Sequence, residues 1–273
     1  RFVQYTADRP LWADEAMLTV NILNRSYAEL LTPLDYEQQA PIGFLLATKW
    51  LTTVFGIEEV VLRLFPFVAS VGSLILMAIL ALEILPYGFA LLALFLFVSN
   101  APLIYYASEV KPYALDLTVG LLLTVLSVRL FRSQAAKRHN LRAAIFGVGL
   151  IGLWFSQAIV FVLASIGILG MIESGLRRHR RAFFLWIGIS IGWVASFVVQ
   201  SYLTLEQYYA RYREVWQAHY APFPPASIVD IEWYAQTAIE ILRRPGGISI
   251  WPIALISFCI GAWSLARTQR RLF

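Results

Sequence analysis

Long apolar runs that alternate with short arginine clusters constrain this chain more than any other feature of its sequence. Seven runs reach or approach the length of a bilayer crossing, roughly 17 to 25 residues per helix. They cover 60–85, 89–105, 113–131, 143–155, 158–172, 182–203 and 248–266. An eighth run, 41–55, contains Lys49 and can either span or lie in the interface. Of the 273 residues, 59% are hydrophobic and only 14% charged, whereas a soluble domain carries about 25% charged residues. The expected fold is all-α: a polytopic membrane protein of about seven transmembrane helices, forming one membrane-embedded domain over residues 1–273.

Charge sets the orientation. Arg129, Arg132, Lys137, Arg138 and Arg142 surround one turn, Arg177, Arg178, Arg180 and Arg181 crowd another, and Arg267, Arg270 and Arg271 form the tail. The positive-inside rule makes all three clusters cytoplasmic. Alternating the spans backwards puts Ser108 to Pro112, Glu58 and Glu59 outside, together with the large loop 204–247. With 41–55 in the interface, residues 1–57 become a first outer loop with amphipathic juxtamembrane helices. Only Glu83 and Glu173 then share the basic side, and every other acid is outside. The net charge of +5 is a topology signal, since nucleic-acid binding needs basic residues along one face. Cys259 is the single cysteine, which excludes disulfides and Cys-based metal sites. The chain opens with Arg1 in a polar stretch, so a first membrane helix is expected ahead of it and the tail can also be cut.

Two outer segments hold chemistry. In Trp12-Ala13-Asp14-Glu15-Ala16, followed by Met17, Val20 and Leu23 among Asn21 and Asn24, the pattern predicts an amphipathic helix along the membrane. Its acids can be N-terminal capping groups, or one can serve as a general base at the membrane surface. In Tyr105-Tyr106-Ala107-Ser108-Glu109-Val110-Lys111-Pro112-Tyr113, Glu109 and Lys111 can be a snorkelling anchor pair. They can equally form a site for an anionic lipid head group, with the tyrosines stacking on a ring. Arg63, at the outer end of its span, can pair with Glu58, Glu59 or first-loop acids, or touch substrate. Arg211, Arg213 and His219 lie in an aromatic and basic stretch suited to sugar or phosphate contact or to an interfacial helix.

Taken in order, these segments resemble GT-C-fold glycosyltransferases. Trp12-Ala13-Asp14-Glu15-Ala16 is similar to their acidic first-loop motif. Gln39-Ala40-Pro41-Ile42-Gly43-Phe44-Leu45-Leu46, running to Phe55-Gly56, resembles "HPPL…LL…FG". Arg63-Leu64-Phe65-Pro66 resembles "RLPS", and the Tyr105 to Tyr113 segment resembles "YAREARPY". The group they resemble most is the bacterial relatives of protein O-mannosyltransferases and aminoarabinose lipid A transferases. Residues 8–131 carry the likeness.

The resemblance implies an inverting transfer of a sugar from a polyprenyl-phosphate carrier to an extracytoplasmic acceptor (lipid, glycan or protein). It places the enzyme in the bacterial inner membrane, its site facing the periplasm or exterior. Asp14 would be the base and Glu15 would orient Asp14 or the acceptor. Lys111, Glu109, Tyr106, Tyr113 and Arg63 would bind donor phosphate and sugar. Gln39, Arg211 and Arg213 would contact acceptor or donor. Gln39 stands where the family often has His, which removes one ligand from any His-dependent metal site, although a divalent cation stays open. Lys111 stands where Arg is frequent and lacks the bidentate fork. A transporter or a non-catalytic assembly subunit is the alternative, although a transporter would concentrate ionisable groups at mid-membrane. Here they gather at one face.

Overall fold

The structure, a computed structural model, describes residues 1–7, 9–205, 222, 224–243 and 251–268. Every described element is helical. In chain order they are α1 (Phe2–Thr6), α2 (Ala13–Asn24), α3 (Ile42–Phe55), α4 (Glu59–Ile84), α5 (Tyr87–Val98), α6 (Ala101–Tyr105), α7 (Tyr113–Arg132), α8 (Ala135–Leu153), α9 (Ile159–Leu176), α10 (Arg180–Leu205), α11 (Ile228–Arg243) and α12 (Trp251–Thr268), with single 3₁₀ turns at Glu29–Leu31 and Tyr106–Ser108. The chain divides into two compact units, residues 1–99 with 103–207, and 100–102 with 208–273.

Among the described residues, α4, α7, α9 and α10 are long and apolar enough to cross a membrane, and the bent pair α5–α6 would make a fifth crossing. This is a multi-pass membrane protein. Large apolar side chains stay exposed round these helices, among them Val68 and Ile75 on α4, Phe89 and Phe95 on α5 and Ile191 and Val194 on α10. A helix apolar on its outward faces belongs in lipid. The run expected as one straight span over 89–105 is instead two helices set 60° apart, divided at Ser99 and Asn100. In α8, Lys137, Arg138 and Arg142 occupy the first half, so its apolar part begins near residue 143. The 41–55 run is the 14-residue α3, which stops at Gly56, where a φ of 98° suits glycine.

Helix α7 packs along α4 and reaches α8 and α9, while α10 packs on α8 and α9. Thr118 Oγ1 donates to the Ala69 carbonyl at 2.6 Å, tying α7 to the middle of α4. The α9–α10 contact depends on a missing side chain: a Cβ on Gly170 would stand 2.2 Å from the buried Trp186 indole. One apolar core, including Leu123, Ile145, Leu163 and Trp186, lies between α7, α8, α9 and α10. A second joins Leu18 and Ile22 of α2 to Phe44 and Leu45 of α3, Leu62 of α4, Val110 and Leu115. This second core is the floor on which the first loop sits.

The expected amphipathic helix is α2, and it buries a second apolar face that the sequence pattern did not single out. Leu18 and Ile22 point into the core, while Met17 and Val20 stay exposed. The helix has two apolar faces, and protein takes one of them. In the smaller unit, Asp230 Oδ2 accepts the N–H groups of Ala226 and Ser227 at 2.8 Å and so caps the start of α11.

Candidate functional site

Three sequence-distant pieces meet above that floor: the start of α2, the loop before α3, and the turn between α6 and α7. Asp14 sits in the first turn of α2, where the helix dipole favours a carboxylate. Its Oδ2 lies 2.7 Å from Lys111 Nζ. Its Oδ1 accepts from Gln38 Nε2 at 2.8 Å. Gln38 Oε1 in turn accepts from Lys111 Nζ at 2.8 Å, closing a triangle of carboxylate, amide and ammonium. Gln38 reaches this position through a turn in which Tyr36 and Glu37 both adopt left-handed backbone, φ 59° and 55°. Asn21, buried in α2, fixes that turn by accepting the Asp35 N–H at 2.7 Å.

Glu15 is 0% exposed and faces away from the triangle into the fold. Its Oε2 accepts the Trp12 N–H at 3.3 Å, closing the N-terminus of its own helix. Its Oε1 accepts the Val110 N–H at 2.9 Å. Arg9 at 3.5 Å and the buried Arg63 at 3.7 Å supply countercharge. Arg63 also meets Glu59 at 3.2 Å, which is the expected pairing with a first-loop acid and a neighbour on its own helix. Glu15 and Arg63 therefore act as positioning residues that hold the first loop against the 109–111 turn.

Glu109 completes the site. It is buried, its Oε1 accepts from Trp12 Nε1 at 2.9 Å, and its Oε2 has no hydrogen-bond partner. Burial is the largest influence on its carboxyl and pushes the pKa above the ordinary value. The Glu15 charge adds to that rise, while the Trp12 hydrogen bond and the charges of Lys111 and Arg9 oppose it. At Asp14 burial again acts upward and is again the largest influence. The hydrogen bonds from Lys111 and Gln38, with the Lys111 charge, together outweigh it and hold the carboxyl below its ordinary value. Two carboxyl groups linked to one loop thus have opposed acidities.

Aromatic rings surround these groups. Trp12 is 48% exposed. Tyr106 and Tyr113 meet edge to face with ring centroids 4.9 Å apart, Tyr105 packs on Tyr106, and the Arg9 guanidinium lies over Tyr105 at 4.8 Å. An exposed aromatic wall beside a Lys–Asp pair and an unsatisfied carboxylate oxygen can receive a sugar ring and an anionic group together.

The structure brings together Asp14, Glu109, Lys111, Tyr106 and Tyr113, all expected from sequence, with Glu15 and Arg63 behind them. Gln39 is half-buried, and its neighbour Gln38 takes the polar contact instead. Arg211, Arg213 and His219 lie outside the described residues. Sequence reasoning missed Gln38 and Arg9; the turn that carries Gln38 inward rests on left-handed backbone at Tyr36 and Glu37, which their residue types do not announce. Among the described residues, no three His, Cys, Asp or Glu side chains converge as metal ligands. Comparison with protein-family models, curated proteins and solved structures finds no match.

Proposed function

We propose that this chain is a glycosyltransferase that moves a sugar from a polyprenyl-phosphate carrier to an extracytoplasmic acceptor with inversion. The observation that carries the reading is the Asp14–Gln38–Lys111 triangle lying beside the unsatisfied oxygen of Glu109. This reading takes seven spans, with α2 and α3 as juxtamembrane helices, and sets the site outside the plasma (bacterial inner) membrane. The basic turns at the other ends of the helices support that orientation.

In the reaction, the acceptor hydroxyl oxygen attacks the anomeric carbon on the face opposite the phosphate. The carbon–oxygen bond to the phosphate breaks, and its electron pair leaves with the polyprenyl phosphate. The acceptor proton passes to Asp14, and Lys111 stabilises the charge on the departing phosphate. Lys111 cannot serve Asp14 and a phosphate fully at once. An arriving donor draws the ammonium away from Asp14, so the carboxylate regains basicity when a substrate is present. Glu109 would offer its open oxygen to a sugar hydroxyl or a divalent cation, and the tyrosines would pack on the ring.

The test uses the full-length protein in nanodiscs with polyprenyl-phosphate sugars and membrane extract as acceptor source. Release of free polyprenyl phosphate is expected to fall by about 10²-fold or more in Asp14→Asn. Wild-type rates in a well-folded Asp14→Asn protein would remove Asp14 from the chemistry.

A further inference from the structure

The basic turns do more than a topology signal requires. Helix α9 ends in a tight C-terminal motif: the His179 N–H donates to the Ser174 carbonyl at 2.9 Å and Arg178 takes a φ of 55°. The turn presents Arg177, Arg178, His179, Arg180 and Arg181 consecutively, with no acid among them. Facing them, α8 supplies Arg138 and Arg142, four residues apart on one side of the helix. Arg177, His179 and Arg181 of the turn join Arg138, Arg142 and Leu185 in lining a recess of about 540 Å³.

The recess is under-compensated. Glu173 is the acid that meets its arginines, and its Oε1 serves both Arg138 at 3.0 Å and Arg177 at 3.1 Å. Arg142 has a buried Nε with no hydrogen-bond partner. Arg142 is half-buried, and taking a cation out of water without an anion is costly; the N-terminus of α10, opening at Arg180, adds its positive end beside the recess. The positive-inside rule counts charges near a membrane; it does not ask that arginines from two helices converge on one cavity.

Location and lining select the anion. The recess lies at the C-terminal end of α7, about 30 Å along that 20-residue helix from Tyr113 and the candidate site. Its wall is apolar at Leu185, and Phe184 beside it is exposed on the first turns of α10. Cations at the rim with apolar surface next to them suit a charged head carrying acyl chains. We propose that this recess binds the phosphodiester head group of an anionic phospholipid from the cytoplasmic leaflet. The binding depends on the orientation above, not on the glycosyl-transfer chemistry.

The experiment takes the full-length protein, delipidated in neutral detergent, and adds phosphatidylglycerol, phosphatidylcholine or inorganic phosphate. Lipid retention is read by native mass spectrometry and stability by thermal unfolding. Phosphatidylglycerol is expected to be retained and to raise Tm, while phosphatidylcholine and inorganic phosphate do neither. Arg142→Gln and Arg181→Gln should each weaken retention by about fivefold, whereas Arg267→Gln in α12 should not. Equal retention of phosphatidylcholine, an equal Tm rise with inorganic phosphate, or unchanged phosphatidylglycerol binding in both variants would overturn the proposal. Arg181 is exposed, so its variant, with the wild-type lipid comparison, decides the matter even if Arg142→Gln does not fold.

Discussion

In the proposed transfer reaction, Lys111 is the residue on which the chemistry turns. Because it helps hold the Asp14 pKa below the ordinary value, Lys111→Met should let that pKa rise. The acid limb of the kcat/KM profile would then move to higher pH, while the maximal rate falls through loss of phosphate stabilisation. A limb that stays in place, measured by donor turnover across pH 3 to about 8, would separate Asp14 from the titration that limits rate. Glu109 gives the opposite sign. Its folded-state pKa is raised, so the stability contributed by its protonated form is complete below the unfolded value and is lost as pH rises through the folded one. Above the unfolded value, ionising this carboxyl is therefore unfavourable to the fold. Glu109→Gln is expected to raise Tm near pH 7 in thermal unfolding while lowering turnover, the pattern of a group kept for function at the expense of stability.

Among the elements, the first loop is held by a knot of charge, not by its helices alone. Glu15→Gln removes the buried charge shared by Arg63 and Arg9, leaving Arg63 only the part-exposed Glu59, and should destabilise the protein by on the order of 3 kcal/mol, seen as a large fall in Tm. Gly170→Leu would drive a side chain into Trp186 and separate α9 from α10 at a cost of about 1–3 kcal/mol or more, with the candidate site left intact. Hydrophobic length made the helices legible in the sequence, and motif order made Asp14, Glu109 and Lys111 legible. The face α2 buries was not, because Met17, Val20 and Leu23 spell a lipid-facing stripe while Leu18 and Ile22, on a neighbouring face, meet protein. The break in α5–α6 also left no hydrophobic trace, since Ser99-Asn100 interrupts the run by only two residues. Gln38 was hidden for a different reason: its inward turn rests on two non-glycine residues in left-handed backbone, which sequence propensity argues against.

At the scale of the whole molecule, the reading requires the two charge systems to face opposite sides of one bilayer. With Cys259 replaced by Ser, single cysteines at Glu58 and at Arg178 should react with a membrane-impermeant maleimide from opposite sides of oriented vesicles. Labelling of both from one side would refute the seven-span orientation. The Glu15 contact also bears on how the protein is made. The Val110 N–H that Glu15 accepts lies 95 residues downstream, and Lys111 lies 73 residues beyond Gln38. While the ribosome is still producing α4 and α5, the first loop has its acids but none of these partners. Arrival of the 109–111 segment seats Glu15 and Asp14 in one event, so the candidate site would be assembled late, in a chain already committed to the membrane.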